Sequence, residues 1–60
     1  MELLRKREVC LLFGGIDPAT LYRGIRKGRY PSPVHVGPGS SRWLKSEIEG
    51  CLQAMVEARS

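Results

Sequence analysis

The residues best able to do chemistry in this chain are cationic and clustered. Arg23, Arg26, Lys27, Arg29, Arg42 and Lys45 all fall between Pro18 and Lys45, and no acidic residue stands among them. Guanidinium and ammonium groups gathered in this way suit phosphate oxygens. Arginine offers a planar fork of N–H donors and lysine a point charge. A second basic group, Arg5-Lys6-Arg7, lies near the start of the chain. Beyond Lys45 the sign turns, with Glu47, Glu49 and Glu57 set against Arg59. The 60 residues carry a net charge of +4, and the sequence pI is about 9.6. This layout points to a polyanionic partner, with nucleic acid first and an anionic membrane surface second.

Other chemistries find little footing. His35 is the one histidine. No Ser/His/Asp set, Gly-rich phosphate loop after a strand, or carboxylate pair around a water site can be composed from the remaining residues. Glu47 and Glu49 diverge on a helix. An enzyme is therefore not expected, and neither catalytic residues, a cofactor nor a metal site is assigned. His35 reads as a strand-surface residue or a phosphate contact. Cys10 and Cys51 are too far apart in sequence for a disulfide framework or a zinc ligand set. They read as buried free thiols in a reducing cytosol. No apolar run reaches the roughly 18 residues a membrane span needs. Met1-Glu2 runs directly into Leu3-Leu4, with no secretory leader pattern. A chain this short forms one domain and seldom encloses a deep, dry small-molecule pocket.

The elements that must carry the cations are marked by short local cues. Leu3-Leu4 reads as a small edge strand. Arg7 to Phe13 places Val9, Leu12 and Phe13 on one face of a short helix, which Gly14-Gly15 ends. Asp17-Pro18 starts a second helix, with Asp17 as N-cap and Pro18 at the first helical position. This helix runs to about Lys27, turns Leu21 and Ile25 to the core with Ile16, and closes at Gly28. Tyr30-Pro31-Ser32-Pro33 must be extended. Val34-His35-Val36 and Arg42-Trp43-Leu44 make a hairpin around a Gly37–Ser41 turn, with Trp43 inward if Arg42 faces out. Ser46-Glu47-Ile48-Glu49 matches a capping box that opens a last helix. That helix has Ile48, Cys51, Leu52 and Met55 as its apolar stripe and Glu47, Gln53 and Glu57 on its wet side.

Two short helices joined by about three or four residues, followed by a hairpin, outline a winged helix-turn-helix. The expected fold is mainly α, with three helices and a small β wing. The second helix turns Leu21 and Ile25 inward and so presents Pro18, Ala19, Tyr22, Arg23 and Arg26 to solvent. Ala19 and Thr20 are small enough for close approach to base edges. Arg23 and Arg26 reach guanine or the backbone, Lys27 adds charge in the last turn, and Tyr22 donates to a phosphate. Arg42, at the base of the wing, suits a narrow minor groove. The expected interface is thus Pro18, Ala19, Thr20, Tyr22, Arg23, Arg26, Lys27 and Arg42, with double-stranded DNA as the partner.

These pieces together resemble the AlpA-like phage regulators, small winged-helix proteins related to MerR-type DNA-binding domains and to phage excisionases. The resemblance rests on Leu3-Leu4-Arg5, Glu8-Val9, Thr20-Leu21-Tyr22-Arg23-x-Ile25, Gly28-Arg29-Tyr30-Pro31-x-Pro33-Val34, Arg42-Trp43 and Ser46-Glu47-Ile48-Glu49, over roughly residues 3 to 55. It implies a phage or prophage DNA-binding protein that regulates transcription, or an excisionase that bends attachment-site DNA for a tyrosine integrase. The integrase or RNA polymerase would then be a protein partner. The resemblance carries Thr20, Tyr22, Arg23, Arg26 and Arg42 over as DNA-facing positions. Three departures stand out. Arg5 replaces the usual Ser/Thr cap of the first helix, Gly14-Gly15 lengthens the inter-helix turn by a residue, and Asp17-Pro18-Ala19 replaces Ser-Arg-Ser. The last removes a DNA-facing arginine and adds an acid, so the relatives' sequence preference is not carried over.

Two other functions fit the same outline. A protein-interaction adaptor would bind DNA only weakly and engage its partner through the Met55-Val56 end. The DNA-recognition domain of a phage terminase small subunit would need a coiled coil, which these residues do not contain. For the DNA-binding reading, small size favours cooperative assembly of several copies on adjacent sites.

Overall fold

The computed structural model describes residues 1–59. The elements run β1 (Leu3–Leu4), α1 (Lys6–Leu12), α2 (Pro18–Arg26), β2 (Val34–Gly37), β3 (Ser40–Leu44) and α3 (Lys45–Ala58). The strands form one antiparallel sheet in the order β1-β3-β2, so β3 is central. β1 pairs Leu3 with Leu44 and Leu4 with Trp43. β2 pairs Val34 with Arg42, His35 with Ser41 and Gly37 with Ser40, with a bulge between His35 and Gly37. Three helices and a hairpin wing in this order make a winged helix, as the residue pattern predicts.

The hairpin is tighter than the composition suggests. β3 already begins at Ser40, leaving Pro38-Gly39 as the turn, and Gly39 takes a φ of 69° that a side chain would disfavour. Ser40 and Ser41 are therefore strand residues rather than loop.

The core is small: Val9, Cys10, Leu21, Trp43 and Ile48 are buried, and Leu4, Phe13, Ile16, Ile25, Tyr30 and Leu52 pack around them. Full burial of a Val, Leu or Ile side chain contributes roughly 1.5–3 kcal/mol, and each helix has one such anchor: Val9 in α1, Leu21 in α2 and Ile48 in α3. Trp43 has no exposed surface, and its indole N–H donates to the Pro31 carbonyl at 3.0 Å. That bond ties the Pro31 segment to the central strand.

Three expectations are corrected. Leu12 is exposed rather than core-facing, and Cys10 takes its place beside Val9. In a helix of 7 residues the buried side is set by what lies across from it, here α2 and β3, more than by periodicity. The Ser46/Glu49 capping box is not made. β3 runs straight into α3, Leu44 becomes the N-cap, and the Lys45 N–H donates to the Glu2 carbonyl at 2.9 Å. Glu2, just before β1, thus supplies an acceptor at the start of α3. Met55, expected on the apolar stripe, is exposed: Leu52 is the last α3 side chain packed against the core.

Arg5 caps α1 without a side-chain acceptor. Glu8 folds back instead, and its Oε1 accepts the Arg5 backbone N–H at 2.9 Å, which is half of a reciprocal cap. Phe13 to Asp17 separate α1 from α2, a longer turn than three or four residues. Gly14 and Gly15 both hold positive φ there, and the Gly15 and Ile16 N–H groups donate to the Cys10 carbonyl.

Candidate nucleic-acid interface

α2 begins where its sequence says. The Asp17 carboxylate accepts the Thr20 N–H at 2.9 Å, and Pro18 occupies the first turn. The bonds from Thr20 hold the Asp17 carboxyl below the usual carboxylate range, with a smaller contribution from the Arg23 guanidinium. Arg23 and Arg26 lie in the last turn, opposite the negative end of the helix dipole.

Burial then decides which face is free. Leu21 and Gly24 are buried, and Ile25 packs against the core. At 3.6 residues per turn, Ala19, Arg23 and Arg26 share the opposite side, and all three are exposed. Pro18 and Lys27 are exposed at its edges. Thr20 is half-buried, on the flank beside Arg23 and Lys27. Of the α2 residues chosen from sequence, Ala19, Arg23 and Arg26 therefore centre the exposed face, while Thr20 and Tyr22 stand on opposite flanks.

Gly24 shows why the helix can sit so close to the next segment. A Cβ built there would lie 2.5 Å from two ring carbons of Tyr30. Tyr30 in turn stacks on Phe13, with centroids 4.4 Å apart. Gly24 is thus the position that seats α2 on the Tyr30 ring.

The Tyr22 flank opens into a shallow cleft of about 440 Å³, lined by Arg5, Lys6, Arg7, Tyr22 and residues 39–42. It contains four cations and no acid. The Tyr22 ring is tilted against Trp43, with centroids 6.2 Å apart. Arg42 is half-buried, and its Nη1 donates to the Ser41 carbonyl at 2.8 Å. On the other flank, Thr20, Arg23, Lys27, Arg29 and Tyr30 line a smaller recess. Sequence reasoning omitted Arg5, Lys6, Arg7 and Arg29 from the interface. The Arg5-Lys6-Arg7 run was visible, but its proximity to the wing is a tertiary fact.

His35 lies on the exposed wing strand, with its Nδ1 3.4 Å from the Ser41 hydroxyl. Among the described residues no cluster of His, Cys, Asp and Glu could hold a metal ion. Cys10 and Cys51 are free thiols. Cys10 is buried as expected, whereas Cys51 is only half-buried and its Sγ–H donates to the Arg29 carbonyl at 3.5 Å. No described helix is long and apolar enough to cross a membrane.

Comparison with known proteins adds kinship to this geometry. An uncharacterized protein of Enterobacteria phage P4, ORF88, is 34% identical over 58 residues, covering 97% of this chain. The chain spans 65% of that relative's length. No solved structure matches the chain. The family described as prophage CP4-57 regulatory protein (AlpA) matches residues 2–56, nearly the whole winged helix, and the chain belongs to this phage regulatory family.

Proposed function

We propose that this protein is a sequence-specific binder of double-stranded DNA that regulates a phage or prophage function. The observation that carries the reading is the α2 face: Ala19, Arg23 and Arg26 stand exposed together, with Asp17 at the N-cap as the nearby acid, and cations lie on both flanks. The major groove of B-DNA admits one α-helix, about 12 Å being available. A helix seated there has phosphate strands on both sides, which is where the flanking cations lie. Arg23 and Arg26 address base edges or phosphates, Ala19 and Thr20 permit close approach, and Pro18 sits at the helix end nearest the groove floor. Tyr22 and Lys27 address the strands, and the wing reaches toward the adjacent minor groove. No catalytic step is assigned.

The finer role is either regulation of transcription or excision, with RNA polymerase or a tyrosine integrase as protein partner and several copies assembling cooperatively on adjacent sites. Cytoplasmic, nucleoid-bound residence accompanies either role. Exposed Met55 and Val56 favour one further reading, in which the end of α3 docks a protein partner.

Selection from a pool of random duplexes tests the proposal. A shared motif should emerge, and Arg23→Ala should relax it at one position, as loss of a base contact does. Binding without any enriched motif would refute sequence specificity.

A further inference from the structure

The cleft beside Tyr22 has a more specific task, one that rests on the DNA-binding reading. We infer that it clamps the phosphate strand running between the two grooves, and that Arg42 is a phosphate anchor rather than a reader of the minor groove. When a helix occupies the major groove and a wing approaches the neighbouring minor groove, one strand must pass between them. In this molecule the space between α2 and the wing is the cleft itself. One wall carries Tyr22, the other carries Ser41 and Arg42, and Arg5, Lys6 and Arg7 line it from α1.

The chemistry of the lining suits a phosphodiester. Its charged members are all cations, and Ser40, Ser41 and Tyr22 add hydroxyls. Glu8, the acid nearest in sequence, is not part of the lining, and its Oε1 is engaged by the Arg5 backbone N–H. Arg42 is poorly placed to reach a groove floor. It is half-buried on the central strand, and Nη1 is held by the adjacent Ser41 carbonyl. A guanidinium restrained in this way keeps its other N–H donors for a phosphate that enters the cleft.

The test compares binding of the full chain to two duplexes, one with an A-tract and one rich in G·C, over a salt series. The variants are Lys6→Ala, Arg7→Ala, Arg42→Ala and Arg42→Lys. Arg23→Ala reports on the α2 face, and Arg59→Ala at the far end of α3 corrects for net charge. Each lost phosphate contact should reduce the log–log salt slope by about 0.9, equivalent to roughly a 3-fold smaller loss of affinity between 50 and 200 mM salt. Arg42→Ala and at least one of the two α1 variants should show this reduction equally on both duplexes, and Arg42→Lys should restore most of the slope. Lys6 and Arg7 are exposed, so their variants remain informative even if Arg42→Ala does not fold. Slopes for Lys6→Ala and Arg7→Ala equal to that of Arg59→Ala, with Arg23→Ala weakened, would overturn the clamp alone. Selective loss of A-tract affinity in Arg42→Ala would restore the groove-reading role. Absence of duplex binding by the wild type would overturn the clamp and the proposed function together. Equally tight binding to phosphatidylserine vesicles would assign the cleft to headgroups instead of a strand.

Discussion

Replacing Gly24 by alanine sets two well-understood effects against each other. Alanine in a helix interior is favoured over glycine by about 0.5–1 kcal/mol. The new methyl, however, would stand 2.5 Å from Tyr30 Cδ2 and Cε2. The ring cannot yield freely, because Phe13 lies 4.4 Å from it on centroid distance. Overpacking of this kind costs typically 1–3 kcal/mol, so the net loss should fall within about 0–2.5 kcal/mol, centred on about 1.25 kcal/mol. For a domain of this size the central value is a fall in Tm of roughly 5–10 °C. Thermal unfolding followed by circular dichroism measures it. The stronger check is the double variant. With Tyr30→Ala already present the clash is gone, and Gly24→Ala should then stabilise by about 0.5–1 kcal/mol. A Tm that rises in the single variant, or an unchanged sign in the Tyr30→Ala background, would refute the packing argument.

Other outcomes follow from neighbouring features. Trp43→Phe leaves the Pro31 carbonyl without its donor and shrinks the core, and should cost about 1–3 kcal/mol in denaturant unfolding. Asp17→Ala removes the α2 cap and should lower Tm at neutral pH. Because the folded-state pKa of Asp17 is depressed, the wild type's advantage should be complete above about pH 4 and disappear as pH falls through the folded value. A difference that persists unchanged into strong acid would contradict the carboxylate's role. In native protein, iodoacetamide should label half-buried Cys51 before buried Cys10, as peptide mapping would reveal. If the protein acts in excision, gel mobility of its complexes should vary with site position in circularly permuted fragments, as bent DNA requires.

Local chemistry made much of this molecule legible. Asp17-Pro18 fixes the start of α2 because the cap and the proline act within a single turn. Pro31, Ser32 and Pro33 stand outside any helix, as two prolines so close together require. Trp43 is buried as alternation from Arg42 predicts. What stayed hidden depends on residues distant in sequence. The Ser46 box is idle because α3 already begins at Lys45, with Leu44 as N-cap, which places Ser46 inside the first turn. Leu12 faces water because α1 is too short for its own periodicity to choose its buried side. Gly24 needs the Tyr30 ring to explain it, and the basic cleft needs α1 and the wing to meet. The exposed α2 face was readable from spacing alone, while its flanking cations at Arg5, Lys6, Arg7 and Arg29 were not assigned.

By the proposed function, the basic surface around α2 binds the phosphate backbone of duplex DNA. Fluorescence anisotropy with a generic duplex at several salt concentrations, for wild type and Arg23→Ala, tests it most directly. Neutralising about four to six phosphates predicts a log–log slope of roughly −4 to −5, less steep by about one in Arg23→Ala if that residue meets a phosphate. No binding at low salt by protein shown to be folded would contradict the account.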